Sequence, residues 1–318
     1  MIPEVLHHRA FTVTGGRTFT WADVVAAAQF WGEWGEAEAA ASMALKTLWR
    51  ARAVGVDLGG ATVDESARQF RYQRQLLSAD ELQSWLAFRG LDVDSWLNYI
   101  RGRALLGERV DGDSVADPDE IPHATWAQLV CSGALERVGQ RLATYLAVAD
   151  ALSLPAAQTP LCSSELASLE HAYAKFSGGV DDAKARRELE RRQVEWTRVQ
   201  VRQLSCKDEH VVREVALCVR TDGRPIDDVA IEAGASIERR RFEIQHVDEP
   251  LRSKLLGARV GELLGPLPHG ADQVLVEVID KHPPSFDDPQ LARRARACAL
   301  ERALLSEVAE RISFDELP

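Results

Sequence analysis

The chain has 318 residues, 46% of them apolar, and a formal net charge of -11. That is enough apolar material for one large core or two modest ones, and two domains are expected; the acidic balance excludes a general nucleic-acid binder, because neutralising phosphates needs a basic face. No run of about 18 apolar residues is present, and the start MIPEVLHHRAFTV lacks a positive segment followed by an apolar one, so the sequence predicts a soluble, cytoplasmic protein with no membrane partner.

Residues 9–20, RAFTVTGGRTFT, read as two short strands around a Gly-Gly turn. Thr20, with Asp23 three residues on, caps a helix through WADVVAAAQFWGEW, in which Trp21, Val24, Val25, Ala28 and Trp31 share a face. A second helix, AEAAASMALKTLWRARAVG, ends at Gly55. Thr62 with Glu65, and Ser78 with Glu81, have the spacing of capping boxes for the next two helices, and DSWLNYIRGRALL makes a fifth.

The acidic stretch 107–120, GERVDGDSVADPDE, reads as a linker. Two further helical stretches follow, ATWAQLVCSGALERVGQRLATYLAVADAL and SELASLEHAYAKFS, and then a charged helix, DDAKARRELERRQVEW. From Trp196 the period changes to that of strands: WTRVQVRQLSC, RRRFEIQHV and QVLVEVI, with two helices around a DGRP turn between the first two and EPLRSKLLG between the last two. Asp288 and Pro289 open a long last helix with a stripe of Ala and Leu. The fold class is therefore α+β, a helical body followed by a few strands covered by helices. The expected boundaries are 1–115, 116–195 as a helical insert and connector, 196–284, and 285–318.

Chemistry-bearing motifs are few. The five cysteines have no C-x-x-C pair and no neighbouring His cluster, so free buried thiols and no metal are expected. There is no G-x-S-x-G, H-E-x-x-H or P-loop. VGVDLGGATVD (54–64) resembles a phosphate-binding glycine turn, but it joins two helices without the required strand and is read as a connector. Six of the eight Trp lie in the first helices, chiefly as core, with one of them available to line a cleft for apolar peptide segments. The segment 184–202 has seven basic and three acidic residues, and ERRR at 238–241 adds a second basic block. These read as solvated faces, or as a surface that steers an acidic leader peptide.

The order strand, helix, helix, strand, helix, strand, together with GARVGELLGPL (257–267) and DQVLVEVI (272–279), resembles a parvulin-type (PpiC-type) peptidyl-prolyl isomerase domain. The N-terminal helices and the long last helix are similar to the chaperone half of SurA-type proteins, in which a C-terminal helix docks back on the N-terminal domain. In active isomerases of that family two histidines face each other on the first and last strands. Here the first-strand position carries Gln203, or Arg202 one residue away, and the last-strand position carries Val274; the family's glycine-rich loop is replaced by ASIERRRFEIQHV.

The resemblance thus implies a degenerate domain that is not an enzyme, although twisting an amide needs no covalent chemistry and residual isomerase activity stays open. Such proteins are similar to the peptide-maturation proteins of ribosomally made, modified peptide (RiPP) pathways, among them the peptide-binding proteins of crocagin biosynthesis. The implied function is to bind a precursor peptide and present it to modifying enzymes, with no cofactor; the alternative is a weakly active isomerase or general chaperone, and whether two copies pair is left open. The implied peptide-binding set is Gln203, Ser205, Arg240, Phe242, Ile244, Leu264, Val274 and Val276. Taken singly, Phe242, Ile244, Val274 and Val276 read first as core residues of a small sheet, so the groove is a claim about the set.

Overall fold

The computed structural model describes residues 4–55, 60–105 and 117–314. Most of the acidic stretch 107–120 and residues 56–59 of the glycine turn lie outside them. In chain order the elements are β1 (Arg9–Val13), β2 (Arg17–Thr20), α1 (Trp21–Trp31), α2 (Glu33–Ala53), α3 (Ala61–Gln73), α4 (Ala79–Phe88), α5 (Val93–Leu105), α6 (Ile121–Cys131), α7 (Ala134–Ala151) and α8 (Ser163–Gly178). There follow α9 (Asp182–Arg191), β3 (Arg198–Cys206), α10 (Glu209–Asp222), α11 (Ile226–Glu232), β4 (Ser236–Glu243), α12 (Leu251–Gly257), β5 (Leu263–His269), β6 (Asp272–His282), α13 (Pro289–Arg311) and β7 (Ile312–Phe314). The molecule is a mixed α and β protein with two small antiparallel sheets. It divides into two compact units, Met1–Gly179 with Arg302–Pro318, and Val180–Glu301.

In the helical unit, the hairpin β1–β2 turns through Gly15 and Gly16, both at positive φ, and β7 adds to the other side of β1. One continuous core runs from Phe11 and Phe19 through Val24, Leu86 and Leu129 to Leu142 and Leu166, so α6, α7 and α8 bury their apolar faces together with the first helices. Two helices predicted as continuous are broken. Gly32 (φ +92) ends α1 and hands Glu33 and Trp34 to α2, and Gly133 (φ +72) separates α6 from α7. In both cases an apolar repeat continues across a residue that only glycine adopts cheaply in the left-handed region. The Ser78–Glu81 capping box forms, but the one expected of Thr62 and Glu65 does not: α3 starts earlier, on Gly60, and Glu65 instead pairs with Arg68.

Asp23 is more than a cap. Its Oδ2 accepts from the Thr20 amide (2.9 Å) and hydroxyl (3.0 Å), while Oδ1 accepts from the Leu161 amide (3.0 Å), and the side chain is 3% exposed. Removing the carboxylate strands a buried N–H as well as opening the helix start. Asp23→Ala is expected to cost about 2–3 kcal/mol, read as a lower urea midpoint at unchanged slope; a midpoint equal to wild type contradicts this role.

All five cysteines are free. Burial first, and Glu136 after it, push the Cys131 thiol up to about 12 against the opposing pull of Arg74 and Arg89. At pH 8 a thiol reagent is therefore expected to label the exposed Cys162 in the native protein and Cys131 only after unfolding, which peptide mapping resolves.

The second unit is built on a four-stranded antiparallel sheet in the order β4-β3-β6-β5. β6 carries the unbroken run Val274, Leu275, Val276 because it is central and buried on both faces. On one face Leu204 and Leu275 pack against Val212, Val215, Ile226 and Val229 of α10 and α11; on the other, Val199, Val201, Val274, Val276 and Val278 meet Ile244, Val247 and Leu255. Trp196 is buried between α9 and α13, among Ala185, Leu189, Leu291 and Ala295, with the Arg294 guanidinium 4.2 Å from its ring centre. The sequence pattern does not announce β5, since Pro266 and Pro268 interrupt it; as an edge strand it tolerates both.

Candidate functional site

The eight residues expected to bind peptide are brought to one face of the second unit's sheet. The register sets Gln203 opposite Glu238 and Val276, Ser205 opposite Ser236 and Val274, Val201 opposite Arg240, Val199 opposite Phe242, and Leu264 opposite Val276. Because side chains alternate along a strand, all of these point the same way, and Ile244 reaches that face from the short 3-10 turn Ile244–His246.

This face is closed rather than grooved over most of its length. Ile244, Leu264, Val274 and Val276 are core residues beneath α12, and Gln203, 5% exposed, spends its amide on the Ser205 hydroxyl (3.2 Å). Ser205 and Phe242 are half-buried, and only Arg240 is exposed. The helix LRSKLLG supplies the cover through Leu255, so the four apolar members are part of the sheet's core, with Leu264 at 8% the most exposed of them.

The open feature lies at the edge of the sheet. Among the described residues β4 pairs only with β3. The Ile244 amide donates to the Thr197 carbonyl (3.0 Å), a bond that continues the β3–β4 register. Antiparallel ladders alternate, so Phe242, Arg240, Glu238 and Ser236 face β3 with their backbone groups, and Ile237, Arg239 and Arg241 turn theirs outward. β4 contains no proline. The opposite edge is blocked: Pro266 and Pro268 lack amide protons, and Arg220 of α10 donates to the carbonyls of Leu263 (3.1 Å) and Gly265 (2.6 Å).

Charge at the open edge is also uneven. Arg240 is held by Glu238 on its own strand (2.6 Å), and Arg202 next door is neutralised by Asp227 and by Glu277 (2.8 Å). Glu243, which ends β4, sits between Arg198 (3.4 Å) and Arg294 (3.0 Å). Burial pushes its carboxyl up, but the two guanidinium groups outweigh this and hold it below the usual range. Arg239 and Arg241 are exposed and have no carboxylate within ion-pair distance among the described residues. The sequence marks ERRR as one basic block and names Arg240; strand parity turns the backbone groups of Arg239 and Arg241 outward, and among the described residues neither has an ion-pair partner.

No family model matches the chain, and no curated protein matches it. Among solved structures, one match comes from work described as "The virulence factor PEB4 and the periplasmic protein Cj1289 are two structurally related SurA-like chaperones in the human pathogen Campylobacter jejuni". It is 9% identical, covers 98% of this chain and 100% of that chain, and has a TM-score of 0.20. No helix among the described residues is long and apolar enough to cross a membrane.

The helical unit has a cleft of its own, about 290 Å³, between α2, α5 and α6. Its floor is Ala41, Ala44, Leu45, Leu48 and Ala127, and Trp49, 36% exposed, stands at its mouth. On its wall Ser95 Oγ lies 2.5 Å from Asp92 Oδ1 and 2.6 Å from His123 Nε2. The Ser95 hydroxyl and amide both donate to Asp92 and hold its carboxyl below the usual carboxylate range.

Proposed function

We propose that this chain is a peptide-binding protein that adds an extended peptide as a fifth strand beside β4 and holds it for other enzymes to modify. The observation that carries the reading is the asymmetry of the sheet: one edge is closed by two prolines and Arg220, and the other presents a proline-free strand with outward amides and carbonyls. In its full form the peptide is a ribosomally made precursor, and the chain presents it to the modifying enzymes of a RiPP pathway in the cytoplasm. A helical SurA-like body and a degenerate parvulin-like sheet domain would divide the work of grip and presentation.

The isomerase-like chemistry is given up on this reading. Gln203 and Val276, which face each other across β3 and β6, and the neighbouring pair Ser205 and Val274, hold no titratable group. The alternative, a general chaperone or weakly active isomerase, finds its support in the Trp49 cleft rather than in the sheet.

The deciding experiment is calorimetric titration with the precursor peptide encoded nearest to this chain, then with its leader and core halves. Saturable binding confined to one half supports the proposal. Measurable cis/trans turnover of a generic proline peptide, with no binding of either half, returns the chain to the isomerases.

A further inference from the structure

Resting on the strand-addition reading, we infer that the bound segment carries acidic side chains two residues apart, seated directly across from Arg239 and Arg241. Residues with outward backbone groups on β4 are the ones whose side chains share the face opposite Phe242 and Arg240. A strand docking on that edge forms its hydrogen-bonded pairs with Arg239 and Arg241, and the partner side chains fall on the same face as the two guanidinium groups. Spacing of two follows from the strand repeat whichever way the peptide runs.

The neighbours sharpen the selection. Arg202, the closest cation on that face, already has Asp227 and Glu277, so it neither competes for nor adds to the site. On the other face Arg240 is occupied by Glu238, which leaves the intervening peptide position without a charge requirement. A second copy of the chain is a poor occupant, because two β4 strands paired about the centre of the run would set arginine opposite arginine. The chain as a whole is acidic at -11, so two unpaired arginines on an open edge form a local reversal suited to an acidic segment.

The probe is the fluorescein-labelled peptide Thr-Val-Glu-Val-Glu-Val-Thr, followed by anisotropy at low salt. Two controls are the same peptide with both Glu replaced by Gln, and Thr-Val-Val-Glu-Glu-Val-Thr, which can put only one carboxylate on the required face. The Gln peptide is expected to bind about tenfold more weakly, the sum of two cross-strand charge pairs, and the adjacent-Glu peptide to fall between. The double variant Arg239→Glu with Arg241→Glu, both at exposed positions, is expected to reverse the preference.

Equal binding of all three peptides to both proteins overturns the acidic spacing, while strand addition itself survives if Arg241→Pro, which removes an outward amide, still abolishes binding. If no peptide binds, or if Arg241→Pro leaves binding intact, strand addition fails and the inference with it. A dimer in light scattering that Arg241→Pro dissociates would place a second copy on the edge and overturn the inference as well.

Discussion

Val276→Arg is expected to unfold the sheet of the second unit, at a cost of about 4 kcal/mol or more. Val276 is 0% exposed on the central strand β6, with Gln203 opposite it on β3 and Leu264 opposite it on β5. Above it α12 and the turn Ile244–His246 close the face through Leu255 and Ile244, both buried. An arginine there cannot shed its proton. Glu238, the carboxylate at the edge of that face, already holds Arg240. Lost packing and an unpaired buried charge therefore add. Amide hydrogen exchange is the measurement: β3 and β6 should lose protection, and retained protection with a normal urea midpoint would mean that the face is open after all.

That expectation decides how binding should be tested. A substitution at Val274 or Val276 that abolishes binding reports the loss of the sheet, not the loss of a contact. Arg239 and Arg241, exposed and without an ion-pair partner among the described residues, are the positions where peptide binding is expected to fall without loss of the fold.

What the sequence disclosed depended on whether a feature is local. The run QVLVEVI announces a strand, Ser78 with Glu81 a helix start, and Asp288 with Pro289 another, because in each case the determining contacts lie within a few residues; the Asp288 carboxylate does accept from the Gln290 and Leu291 amides. The closure of the sheet face could not be read in this way. Whether Val274 lines a groove or a core depends on Leu255, roughly twenty residues away, and LRSKLLG has too little pattern to say where it packs. Gly32 and Gly133 hid their breaks for a related reason, since the apolar repeat on either side continues and only the backbone angle changes. The basic block ERRR was visible as charge, but which arginine faces outward is fixed by one ladder bond from Ile244 to Thr197, a matter of pairing that composition does not encode.

Gly265→Ala is expected to cost about 4 kcal/mol, the second large effect, and it acts on the edge that must stay blocked. Gly265 lies at φ +107, where the β5–β6 register shifts between Leu264 and Leu267. A Cβ there would stand 2.5 Å from the Val274 carbonyl oxygen, 3.2 Å from the Leu267 nitrogen and 3.2 Å from Leu275 Cδ2. The first two are backbone atoms of the hairpin itself, so relief requires β5 to move off β6, not a side chain to swing aside. Gly270, at the turn of the same hairpin, separates the two contributions: it has φ +63 but nothing within 4 Å of a Cβ. Gly270→Ala should cost only the left-handed penalty, about 1–2 kcal/mol. Urea midpoints of the two variants give the crowding as a difference, and equal midpoints would show that β5 yields freely. Displacing β5 also pulls the Gly265 carbonyl from Arg220, which holds it at 2.6 Å. Gly265→Ala is therefore expected to open a second edge and raise nonspecific association along with the loss of stability, and an unchanged scattering profile at high protein concentration would exclude that consequence.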